Sequence, residues 1–218
     1  MSAPPGSASY PRGALIATGG PASSRRAVAF QYNPQSLQRS LQAETEGASE
    51  GDRSKAVRFV GAPVETFRLD AYFDATDALG RGDETAQAHG IYPQLSALAL
   101  LIYPSTTTVQ QMEQLLSQGQ LEVVPALSPE LLFVWGKSRI VPVRVQGLEV
   151  QEQFFDANLN PIQARVTLTL RVLSYSDLQP SNPGYHQFIV YQQTLESLGA
   201  RGLTADIDAV TGVKVSTL

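Results

Sequence analysis

Apolar residues recur at every second position in several stretches of this chain and at helical spacing in two others. In Ala27–Tyr32, Val28, Phe30 and Tyr32 share one face at the period of a strand. Asn33-Pro34 then turns the chain. Leu37, Arg39, Leu41 and Ala43 alternate on one side of a second strand, and Lys55–Phe59 reads as a short third one. The acidic, small-residue segment Glu44–Asp52 between them reads as an exposed loop. From Glu65 to Phe73 the odd positions 67, 69, 71 and 73 are apolar, while 66, 68 and 70 are polar, so one face meets a core and the other meets water. Leu131–Trp135 predicts a short strand closed by Gly136. Ile140–Phe155 predicts a long one whose apolar phase slips at Gly147, from odd positions (Val141, Val143, Val145) to even ones (Leu148, Val150). A one-residue slip would expose the core face unless a β-bulge absorbs it, so a bulge is expected there. Asp156–Pro161 is turn chemistry. Ile162–Val172 then alternates without interruption, which predicts a long antiparallel hairpin with the preceding strand.

Two segments have a different period. From Tyr92 to Tyr103 the apolar residues are too dense for a one-sided strand, Pro93 suits the first helical position, and Pro104 closes the segment; a buried helix is expected. Ser105 or Thr106 can cap a second helix through about Ser117, with Val109, Met112, Leu115 and Leu116 on one stripe and Gly119 ending it. Asp74–Thr85 reads as a loop. The fold class is mainly β with inserted α-helices, an antiparallel β-barrel or sandwich. Residues 1–24, rich in Ala, Pro, Gly and Ser, read as a flexible N-terminal arm. Residues 25–175 form the β domain, and 176–218 form a linker and a short C-terminal segment. Ser174–Gly184 holds the linker. The residues beyond it are too few for a core of their own, so they dock, order weakly or are a remnant.

Composition narrows the function by exclusion. The chain has 218 residues, 43% of them apolar, and no cysteine, which removes thiolate nucleophiles, cysteine zinc sites and disulfides together. The lack of cysteine fits a reducing cytoplasm. A net charge of −4 argues against nucleic acid as a partner, because phosphate neutralisation needs a concentrated basic face. The longest nearly unbroken apolar run, Leu95–Tyr103, is far short of the about 20 residues a membrane helix needs, so no membrane insertion is expected. The opening residues lack the pattern of a secretory signal.

Candidate chemistry is sparse. The two histidines, His89 and His186, have no triad or ligand spacing around them. Asp74, Asp77, Asp83 and Glu84 cluster in one segment but lack the periodicity of a calcium loop. Gly80-Arg81-Gly82-Asp83 has neither the lysine nor the spacing of a phosphate loop. Trp135 reads as a core aromatic. No catalytic, cofactor-binding or metal-binding residue is assigned, and no cofactor is expected. The Arg- and Thr-rich hairpin suits either pairing between copies or closure of its own barrel.

The order of short motifs adds a positive indication. Phe30-Gln31-Tyr32-Asn33-Pro34-Gln35-Ser36-Leu37, Val57-Arg58-Phe59-Val60-Gly61, Phe67–Thr76, Phe133-Val134-Trp135-Gly136 and Phe155–Val166 succeed one another as in the tube-like N-terminal domain of baseplate adaptor proteins of contractile injection systems, which residues 25–175 resemble. The resemblance implies a β-barrel of the tail-tube type. It implies a non-enzymatic homo-oligomer, a hexameric ring, with inner tube, spike or hub, and baseplate wedge proteins as partners. It also implies intersubunit contacts from the hairpin and an N-terminal arm that orders on a neighbour. Such domains are often followed by a LysM module. His186–Ala200 resembles its opening at Val190, Thr194, Leu195 and Leu198, but has Gln192-Gln193 where that module has Gly-Asp. A degenerate LysM and a plain amphipathic helix both remain open. A cell-wall glycan-binding module carried on a β-barrel is the alternative function.

Overall fold

The two longest alternating segments form one hairpin, and the rest of the fold is assembled on it. The computed structural model describes residues 11–18, 26–46, 58–119 and 130–203. In chain order the strands are β1 (Ala14–Ala17), β2 (Arg26–Ala29), β3 (Leu37–Gln42), β4 (Thr45–Glu46), β5 (Arg58–Phe59) and β6 (Val64–Asp74), followed later by β7 (Leu131–Val134), β8 (Ile140–Phe155) and β9 (Pro161–Val172). Among the described residues, four helices lie between β6 and β7: α1 (Thr76–Gly80), α2 (Glu84–His89), α3 (Tyr92–Ala99) and α4 (Thr106–Ser117). Helix α5 (Pro183–Gly202) comes after β9. Seven strands form an antiparallel sheet in the order β2-β1-β7-β8-β9-β6-β3, and β4 and β5 pair apart from it.

The expected hairpin forms from Val143↔Val172 to Phe155↔Pro161, and its register shifts between Val145 and Gly147, where the phase slip requires a bulge. The bulge keeps Leu148 opposite Leu168 and Val150 opposite Val166, on the face already occupied by Val141 and Val143. That face carries the core: Leu15, Phe67, Leu69, Phe133, Val141, Val143, Val166, Leu168 and Leu170 are all buried. Phe67 and Phe133 meet with ring centroids 5.5 Å apart, and Phe133 stacks on Trp135 at 5.9 Å, so Trp135 is a half-buried core aromatic as expected. Truncating Phe133 to alanine would cost about 3–5 kcal/mol by loss of transfer energy and a residual cavity.

Several boundaries differ from the sequence reading. Within the expected N-terminal arm, Ala14–Ala17 is a strand between β2 and β7, with Leu15 fully buried. Four residues among Pro and Gly carry too little apolar signal to stand out from their surroundings, yet pairing on both edges fixes them. Residues 1–10 and 19–24 of the arm lie outside the described residues, as do 47–57, which hold most of the expected Glu44–Asp52 loop and the start of the Lys55–Phe59 strand. Thr45–Glu46 from that loop pairs with Arg58–Phe59.

The expected Asp74–Thr85 loop instead contains α1 and the start of α2. Asp74 accepts from the Thr76 backbone at 2.7 Å, and Asp83 caps α2 by accepting from Ala86 at 2.9 Å. Asp83, read as a loop former, is thus a helix cap, while Asp74 ends β6 and forms the turn that leads into α1. Helix α3 begins at Tyr92 with Pro93 in its first turn but ends at Ala99; turns continue to Tyr103. Leu95, Leu98 and Leu101 are buried, whereas Tyr92, Leu100, Ile102 and Tyr103 are exposed. In α4, Ser105 caps Thr108 and Gly119 adopts φ +81, as the sequence indicates, but none of its residues is buried. The expected Ser174–Gly184 linker is a set of packed turns. Ser174 is buried and its backbone N–H and hydroxyl both donate to Asp177, which also pairs with Arg171.

Candidate assembly surface

The sequence Phe30-Gln31-Tyr32-Asn33-Pro34 acts as a clamp. Phe30 is fully buried in contact range of Trp135, and the Gln31 amide then behaves as a short piece of strand. It accepts from the Asp74 backbone N–H at 2.9 Å and donates to the Asp74 carbonyl at 2.8 Å, joining the chain after β2 to the end of β6. Asn33 repeats the device on the other side, accepting from Gly13 at 2.9 Å and donating to the Pro11 carbonyl at 3.0 Å. The Gln31 amide thus ties the β2 end of the sheet to β6 near its other end, and Asn33 fixes the chain that leads into β1.

Among the described residues the outer edge of β2 is unpaired, and two further unpaired edges bound the unit β3-β6-β9-β8. Strand β7 covers β8 only from Ile140 to Val143, so from Arg144 to Phe155 β8 is bonded to β9 alone. Strand β3 is the outermost strand at the other side, bonded only to β6. A row of free backbone N–H and C=O groups is a template for another strand. Between these edges, the face opposite the core is polar and largely paired within itself, with the buried Arg171 Nε left without a partner. Asp70 on β6 accepts from Thr167 and Arg165 of β9, each at 2.6 Å, and Arg165 also lies over Tyr72 with its guanidinium carbon 6.0 Å from the ring centre. Hydrogen bonding from Thr167, then from Arg165, lowers the Asp70 pKa below the usual 3.8. Gln163 donates to Asp74 at 2.8 Å.

The hairpin tip is braced for display. Asp156 accepts from the backbone of Asn158 and Asn160 and from the Asn160 side chain, each at 2.8 Å, and the Asn160 contacts hold its carboxyl below the usual range. Asn160 also donates to the Ala88 carbonyl at 3.1 Å, and Ile91 donates to the Pro161 carbonyl at 2.9 Å, so the tip is tied to the helical insertion. Around this frame Phe154, Phe155 and Leu159 are exposed, with Phe154 and Leu159 at φ +54 and +64. Non-glycine residues at positive φ store local strain, and here both carry large apolar side chains facing water.

The sparse titratable residues do not converge. His89 ends α2 and His186 lies in the first turn of α5, both exposed and on different elements. Asp74 and Asp83 are used by backbone and capping bonds, and Asp77 and Glu84 lie in the first turns of α1 and α2. Among the described residues no group of three or more His, Asp or Glu side chains is placed to hold a metal ion. No helix among them is long and apolar enough to cross a membrane.

The C-terminal segment docks. Residues 186–200 lie within one continuous helix, and its aromatic side chains Phe188 and Tyr191 are buried against the sheet. Gln187 donates to the Ile140 carbonyl at 3.1 Å, and the Tyr191 hydroxyl donates to Glu65 at 2.9 Å. Glu65, itself buried, also holds Arg39 of β3 at 2.5 Å. This triad is not legible in the sequence, because Glu65 reads simply as the polar residue that opens a strand.

A family model described as contractile injection system tube protein matches residues 17–179. The chain belongs to that family. It is therefore a structural component of a phage-tail-like particle, and the tube-type β fold expected from the resemblance stands. Membership does not by itself make the chain a baseplate hub adaptor. Helix α5 lies outside the matched residues. No curated protein matches the chain. Among solved structures, a chain from a "Virion of native gene transfer agent (GTA) particle" is 13% identical, covering 73% of this chain and 89% of that one, with a TM-score of 0.27. A chain from "Tail of empty GTA particle computed with helical refinement, C6 symmetry" has the same identity and coverages, with a TM-score of 0.28.

Proposed function

We propose that this tube-family protein forms a closed ring by joining the free β3 edge of one copy to the free distal β8 edge of the next, and that the ring serves as an adaptor between inner tube, spike or hub, and baseplate. The observation that carries this reading is the pair of unpaired edges on one four-stranded unit. Strands β3, β6, β9 and β8 alternate in direction, so β8 beside a second copy's β3 continues the antiparallel alternation without reversal. A head-to-tail contact of this kind generates a ring when its rotation closes. The core and α5 lie on one face of the unit, and bulk on that face favours the larger radius. The polar face with Asp70, Arg165 and Thr167 then lines the inside.

The adaptor position rests on the motif resemblance and on α5, an addition beyond the matched tube domain. A hexamer is the ring size the resemblance implies, assembled in the cytoplasm into a phage-tail-like particle. Copy number decides between adaptor and ordinary tube subunit. Quantitative mass spectrometry of purified particles of differing tube length should give a constant copy number equal to one ring. A number that grows with tube length would reject the adaptor role, and absence from particles together with a monomer at all concentrations would reject the ring.

A further inference from the structure

Helix α5 buries a stripe that continues past the surface covering it. Phe188 and Tyr191 are buried, Leu195 four residues beyond Tyr191 packs partly on the core, and Leu198, next at helical spacing, is 46% exposed. The direction is fixed by two bonds: Gln187 lies at the start of β8, while Tyr191 has already reached Glu65 on β6 and the reach of Arg39 on β3. Strand β3 is the outermost strand on that side. The eleven residues after Tyr191 extend about 16 Å at helical rise, whereas one strand spacing is only about 4.8 Å. The C-terminal part of α5 therefore has the length to cross β3 and overhang its free edge.

The two edges carry matching groups on this same face. Leu41 of β3, opposite Glu65, is 50% exposed, and Val150 of β8, opposite Val166, is 41% exposed although it faces the core side. Arg39, bonded to Glu65 of its own chain, lies on the core-side face of β3, and Glu152, opposite Ala164, lies on the core-side face of β8.

We infer that the C-terminal half of α5 is a strap across the seam between copies, laying Leu198 over its own β3 edge and against Val150 of a second copy's β8. This rests on the edge-to-edge ring and is tested separately from it. The chain has no cysteine, so single-cysteine variants report cleanly. Full-length Leu198→Cys and Val150→Cys chains, mixed in assembled rings and treated with a short bismaleimide, should yield a covalent dimer. Polar-face cysteines placed along the edges, at Gln38 or Ser40 and at Gln151 or Gln153, should cross-link as well. Edge cross-links without the Leu198–Val150 product overturn the strap and leave the ring; absence of both overturns both. In a second arm, Leu198→Asp should shift ring dissociation to higher protein concentration while amides around Phe188 and Tyr191 stay protected from exchange. An unchanged concentration dependence overturns the strap.

Discussion

Replacing Tyr191 with phenylalanine removes one oxygen and keeps the ring that packs edge-on against Phe188 with centroids 6.2 Å apart. The lost bond runs to a buried carboxylate, at 2.9 Å, and a hydrogen bond to a charged partner is worth about 1.5–3 kcal/mol. Arg39 remains to hold Glu65, so the variant loses one bond rather than exposing an uncompensated charge. At about 2–4 °C per kcal/mol for a chain of this size, the melting temperature should fall by about 3–12 °C at neutral pH. The substitution has a second signature. Burial, then the neighbouring Glu65, pushes the Tyr191 hydroxyl from 10.0 up to about 12. A group whose folded pKa is raised contributes stability that is complete below pH 10 and is lost as pH rises toward 12, because the unfolded chain releases its proton first. Wild-type stability should therefore decline between pH 10 and 12 more steeply than that of Tyr191→Phe, and the two curves should converge. Circular dichroism melts across pH, with hydrogen exchange on α5, measure both effects. An unchanged melting temperature together with parallel pH curves would refute the reading of Tyr191 as the bond that holds α5 to the sheet.

Gln31→Ala should unpair both backbone groups of Asp74 and cost about 1–3 kcal/mol, read as a lower denaturant midpoint at constant m-value. Gly90→Ala should cost about 2–4 kcal/mol, since a Cβ would sit 2.1 Å from the Pro161 carbonyl at a φ of +59; an unaffected melting temperature would contradict this. Asp70→Asn should narrow the loss of stability in acid. Its lowered pKa means its contribution is complete above about pH 3.8 and is lost as pH falls below that, so wild type and variant should differ at pH 7 and converge as the pH falls further into acid.

Legibility in the sequence tracks the length over which one signal persists. The β8–β9 hairpin is readable because eleven residues alternate without error, and the bulge because a phase slip in a two-residue period has only one remedy that keeps Leu148 and Val150 on the side of Val141. Strand β1 is hidden for the opposite reason: four residues, one of them buried, are held by pairing on both sides rather than by anything intrinsic. The Asp74–Thr85 segment misleads because aspartate and glycine serve loops and helix ends alike, and the choice depends on which N–H groups lie within reach of Asp74 and Asp83.

The assembly surface divides along the same line. Its strands are legible, but its free edges are not, since which strand covers β8 is a matter of how long β7 is relative to it, and the pairing with β7 stops at Val143. Helix α5 is the sharpest case. Its resemblance at Val190, Thr194, Leu195 and Leu198 to the opening of another module draws attention to sequence identity, whereas the fold uses Phe188 and Tyr191, which lie between and before those positions. One of the bonds that tie the segment to the domain runs to a carboxylate 126 residues upstream. Spacing along one helix indicates that it has an apolar side; the Gln187–Ile140 and Tyr191–Glu65 bonds together fix which strands that side meets, and hence that the stripe points toward the β3 edge with Leu198 half exposed.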